Sequence, residues 1–147
     1  MPPRLRATLT ALGAPPDPAA LEEIVRAFGG SWAELDRLRR TAGTPVDVSG
    51  ATEAELRAHL TYQLPCSTGV VKTAWPADGI ATRMTAERLI SSIDDLWYPA
   101  TDDLVVLHED ADGTSVLIID HEERLTVVRM YGGGHGGTGR GQGPQGP

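Results

Sequence analysis

The chain has one cysteine, one lysine and seven aromatic residues, and these scarcities bound what it can be. A lone Cys66 excludes an intrachain disulfide and a cysteine-rich zinc site. The single lysine, Lys72, stands beside twelve arginines and reflects coding bias rather than structure. No glycine-rich loop ends in Gly-Lys-Ser or Gly-Lys-Thr, so no nucleotide-phosphate cradle is expected. No apolar run reaches membrane-spanning length, and no secretory core follows Arg4 and Arg6. A cytoplasmic location with no membrane partner is therefore expected. Positive charge is also short, with 13 Lys and Arg against 20 Asp and Glu and a net charge of −7. Direct nucleic-acid binding is disfavoured, because its largest affinity term comes from cations facing phosphates.

What is present suffices for one domain. A chain of 147 residues, 40% hydrophobic, can bury a core without covalent staples. Residues 1–16 read as a flexible N-terminal arm, 17–131 as a single folded domain, and 132–147 as a disordered glycine-rich tail. Charge is uneven along the chain. Segments 1–46 and 47–93 carry net charges of +1 and −1, so the whole excess lies in 94–147, which has ten acids and three bases.

Periodicity and capping chemistry place the elements. Asp17-Pro18 opens a helix carrying Leu21, Ile24, Val25 and Phe28. Ser31 with Glu34, and Thr52 with Glu55, have the capping-box spacing of two more helices. Gly69–Trp75 and Ile80–Met84 read as a hairpin, followed by a crossover helix capped by Thr85. Leu104–Leu107, Val116–Ile119 and Leu125–Val128 then form a meander, with Asp112-Gly113 as the expected first turn. The fold class is α+β, with N-terminal helices on a mainly antiparallel sheet of four to five strands and one crossover helix. The quartets 104–107 and 116–119 do not alternate, so both sheet faces need cover, from helices on each side, from a helix and a partner chain, or from strong sheet curl.

Tests for chemistry eliminate more than they find. Across the hairpin turn His108 and His121 sit about 13 Å apart, too far for a shared metal. The spacing of Asp110, Asp112 and Asp120 misses the calcium-loop pattern. Cys66 precedes a short polar loop but lacks the arginine fork of a phosphatase loop, which leaves it a packing residue. No metal, cofactor or catalytic residue is expected. Paired carboxylates keep a small hydrolase as one alternative.

What remains is the acidic third. Asp94, Asp95, Trp97, Tyr98, Asp102 and Asp103 set two aromatics among four carboxylates. Asp120, Glu122 and Glu123 should reach the same end of the meander. Clustered charge steers a basic partner, and aromatics with polar handles anchor it. The runs 94–104 and 118–123 resemble small actinobacterial proteins and bacterial immunity proteins that neutralise toxins. That resemblance implies an α+β inhibitor that docks on a toxin, often a basic nuclease, without doing chemistry itself. The expected function is an acidic protein-binding module for a basic protein, with these nine residues as its contact set. A self-assembling structural or accessory subunit, a homo-oligomer through its apolar strands, is a further alternative.

Overall fold

Helices begin where side chains can satisfy the free amides of a first turn. Asp17 accepts from the amides of Ala19 and Ala20, at the start of a helix over Pro18–Ala27. Thr52 and Glu55 close a complete capping box at Glu53–Gln63. Ser31 forms only half of one, because the Glu34 carboxylate is taken by Arg37 at 2.7 Å. Thr85 caps a helix over Ala86–Ser91.

The computed structural model describes residues 1–64, 69–97, 103–111 and 113–135. Its helices are α1 (Pro3–Ala11), α2 (Pro18–Ala27), α3 (Trp32–Thr41), α4 (Glu53–Gln63), α5 (Ala86–Ser91) and α6 (Ile93–Leu96). Its strands are β1 (Val46–Asp47), β2 (Val70–Trp75), β3 (Ile80–Thr85), β4 (Leu104–Asp110), β5 (Gly113–Ile119) and β6 (Arg124–His135). The sheet order is β1-β6-β5-β4-β2-β3, and every pairing is antiparallel. The chain leaves β3 at one edge and returns through α5 and α6 to β4, beyond β2. This is the expected crossover, broken into two short helices. The sixth strand is β1, a two-residue pairing that no sequence run marks.

Three sequence expectations are corrected here. Residues 1–16 are not a free arm, since α1 buries Leu5 and Leu9 almost completely. They lie four apart on one helix face and join the main core. The meander's first hairpin also turns one residue earlier than Asp112-Gly113 suggests. Asp110 pairs with Gly113, and Leu104, Val105, Val106 and Leu107 face Ile119, Ile118, Leu117 and Val116. The later turn would slide the quartets apart by two residues. Both registers keep each residue on the same face, so alternation cannot separate them; burying four apolar pairs opposite one another does. At the C-terminus the expected tail begins inside β6, whose backbone runs on to His135. Cys66, Tyr98, Asp102 and 136–147 lie outside the described residues.

Helices cover both faces of the sheet. On the first, Leu5 and Leu9 of α1, Leu56 and Leu60 of α4 and Leu89, Ile93 and Leu96 pack on Val71, Trp75, Leu104, Val106, Leu117 and Ile119. On the second, Ala20, Ile24 and Phe28 of α2 and Leu35 of α3 pack on Ala74, Ala81, Val105, Leu107, Val116 and Ile118. The double cover that non-alternating quartets require comes from the chain's own helices.

A chain of charges pins α2 to the second face. Arg83 Nε lies 2.9 Å from Asp17, and its Nη2 lies 2.5 Å from Glu23; Lys72 Nζ reaches Glu23 at 2.9 Å and Glu109 at 2.7 Å. Hydrogen bonds from Arg83, then from Lys72, hold the Glu23 carboxyl down to about 2 from its ordinary 4.5. A carboxyl depressed in the folded state stabilises above its unfolded pKa and loses that contribution as pH falls toward the folded one. Glu23→Gln is therefore expected to flatten the loss of stability between pH 4.5 and pH 2, as read by urea midpoints across that window.

Candidate functional site

The expected acidic rim is only partly gathered. By register, Leu104, Ile119 and Leu125 lie level, which brings Asp103 and the turn 120–123 to one end of the sheet. A four-residue loop, 120–123, joins β5 to β6, with Glu123 in the left-handed region at φ 61°. The Asp120 carboxylate organises that loop by accepting the amides of Glu122 at 2.9 Å and Arg124 at 3.1 Å. Only 2% of its side chain is exposed; Arg39 of α3 lies 3.1 Å away and Arg124 Nε 3.5 Å. Asp120 is thus a structural keystone and not a contact residue. Glu122 pairs with Arg124 and stays 59% exposed.

Other members of the expected set lie elsewhere or face inward. Asp94 and Asp95 are exposed on α6 but clamped by Arg4 of α1, which reaches the Asp95 carboxylate at 2.7 Å and the Asp94 carbonyl at 3.1 Å. Trp97 is half-buried against the first core, with its ring nitrogen shielded from water. Trp75 donates its ring N–H to the Leu96 carbonyl at 2.7 Å and so fixes the end of α6. Two N-terminal arginines, Arg4 and Arg39, thus meet C-terminal carboxylates.

On the second face, at the end carrying Asp103, a concavity of about 90 Å³ opens between α3 and the sheet. Trp32, Leu35, Pro76, Val105 and Ile118 supply its apolar lining, and Asp36, Arg39 and Asp103 its polar one. Asp36, Asp103 and Arg39 line it; counted with their ion-pair and strand neighbours Asp47, Asp120, Glu122, Glu123, Arg40 and Arg124, six carboxylates stand against three guanidiniums, a formal excess of three negative charges. Asp36 is held below the usual carboxylate range by hydrogen bonds from Arg39 and Arg40. Sequence reasoning missed Trp32, Asp36 and Arg39 as neighbours of this end; their only local signal was the Asp36–Arg39 helical spacing.

Asp103 has a second role. Its Oδ1 accepts the backbone N–H of His121 at 2.9 Å and lies 3.0 Å from His121 Nδ1, bridging the start of β4 to the β5–β6 loop. The hydrogen bond to Asp103 raises the His121 pKa above its ordinary 6.5. His108 pairs with Ser115 at the far end of the hairpin, so the two histidines stay apart. Among the described residues no group of three potential ligands could hold a metal. An Asp–His pair can orient a general base, yet this imidazole is 65% exposed and solvated. Wherever a described carboxyl is displaced, as at Asp17, Glu23, Asp36, Asp47 and Glu55, the shift is downward. A glycosidase-type general acid requires the opposite. No family model, curated protein or solved structure matches the chain.

Proposed function

We propose that the chain is a protein-binding module that docks a basic partner on the end of the sheet carrying Asp103 and the 120–123 loop. The observation that supports it is the formal three-charge excess of acids on the segments that border a partly apolar concavity. Long-range attraction would steer the partner, and Trp32 with its apolar neighbours would supply desolvated contact. The contact set narrows to Asp103, Glu122 and Glu123, without the Arg4-clamped Asp94 and Asp95 or the buried Asp120. In its most specific form the partner is a toxin or nuclease whose phosphate-binding cations these carboxylates would occupy. Self-assembly has lost its chief argument, because the apolar quartets are already covered within one chain.

Glu122→Lys with Glu123→Lys tests the proposal. At low ionic strength the double variant is expected to bind a basic probe, a deca-arginine peptide, at least about tenfold more weakly, with its thermal midpoint little changed. Titration calorimetry beside a melting curve reads both quantities. Undiminished affinity would move the docking surface elsewhere.

A further inference from the structure

The geometry points to a second docking surface, where an extended peptide of acid-x-apolar pattern adds as a strand to the outer edge of β6. This surface lies on the first face of the sheet and is independent of the reading above. Asp120 donates its N–H to the Arg124 carbonyl at 3.0 Å, and on the other side Val48 donates to the Glu123 carbonyl at 2.9 Å. Ladder alternation then turns the backbone groups of Thr126 and Val128 toward β5, and those of Leu125, Val127 and Arg129 outward. On that outer side β1 meets only Arg124 and Leu125. Among the described residues no backbone group pairs with Val127 or Arg129 there. Their N–H and C=O groups form an open template for a further strand.

The side chains beside this lane set what fits it. A concavity of about 150 Å³ lies against it, between the 43–46 segment, His59 and Gln63 of α4, and Leu125 and Val127 of β6. Val127 packs partly buried on the first core, so an apolar side chain opposite it extends that packing. Arg129 follows two residues on, on the same face, and is exposed. Among the described residues its guanidinium donates to neutral acceptors alone, Ser115 Oγ at 3.2 Å and Gln63 Oε1 at 3.3 Å. A carboxylate on the incoming strand is the complement of that charge. An antiparallel strand meets Arg129 first and Val127 two residues later, which orders the pattern as acid, any residue, apolar. β1 closes the lane ahead at Val46, so the apolar residue comes last.

Amide exchange and NMR shifts of the full chain at low salt test this with the peptide acetyl-Thr-Thr-Glu-Thr-Val-amide. In the free chain the Val127 and Arg129 amides are expected to exchange faster than those of Thr126 and Val128. Saturating peptide should slow both and shift Thr44 and His59. Lysine in place of the probe's glutamate should weaken binding at least about threefold, and Arg129→Gln should erase that difference. Methylating the backbone nitrogen of the probe's valine, which removes one inter-strand hydrogen bond, should weaken binding at least about tenfold. Undiminished binding of the methylated probe, equal binding of the lysine probe, or no binding at all overturns the proposal. So do Val127 and Arg129 amides already protected in the free chain. Protection that falls on dilution assigns the edge to a second copy, and protection that persists assigns it to the chain itself. None of these outcomes bears on the Asp103 end.

Discussion

Replacing Leu5 and Leu9 together with alanine is expected to remove most of the folding stability. Each side chain is almost fully buried, at 0% and 1% exposure, in the core that includes Leu60, Ile93 and Leu96. A buried Leu→Ala change costs about 2–5 kcal/mol through lost transfer energy and the cavity left behind. Domains of this size hold only about 5–15 kcal/mol in all. The double variant should show a collapsed urea midpoint or no cooperative transition. The single variants, which each retain one anchor, should unfold cooperatively at reduced midpoints. A flexible arm would give midpoints unchanged in all three.

The second large effect concerns Asp120. Its carboxylate has four partners: the guanidiniums of Arg39 and Arg124 and the amides of Glu122 and Arg124. Truncation in Asp120→Ala leaves two part-buried amides without their acceptor and removes a counter-charge that Arg39 reaches from α3. The guanidiniums reach solvent, so the main cost is that of leaving part-buried donors without an acceptor, about 1–3 kcal/mol. Asp120→Ala is expected to lose stability in that range by chemical denaturation. Glu122→Ala, whose carboxylate is mostly solvated, should lose under about 1 kcal/mol. Equal losses would mean that the loop is held by its backbone and not by the buried carboxylate.

The sequence revealed local chemistry well and distant pairing poorly. Asp17, Ser31, Thr52 and Thr85 each cap the expected helix, because a cap is decided within four residues. The unbroken apolar quartets correctly required cover on both faces. Helix α1 was hidden because nine polar-leaning residues make a marginal helix alone; packing of Leu5 and Leu9 makes it form. The hairpin register was ambiguous because a two-residue slide preserves every face. The candidate site suffered most. Arg4 meets Asp95 from 91 residues away and Arg39 meets Asp120 from 81, and no local pattern announces either contact. Carboxylates that look like an undivided acidic patch in the sequence are thus sorted into clamped, buried and exposed groups.

Amide NMR shifts of the full chain titrated with deca-arginine at low salt test the docking claim most directly. The account predicts perturbations confined to Asp36, Arg39, Asp103 and His121–Arg124, fading by about 0.3 M salt as screening shortens the reach of the surface charges. Perturbations spread evenly over Glu22, Glu53 and Glu87, or centred on Arg4 and Asp95, would contradict it.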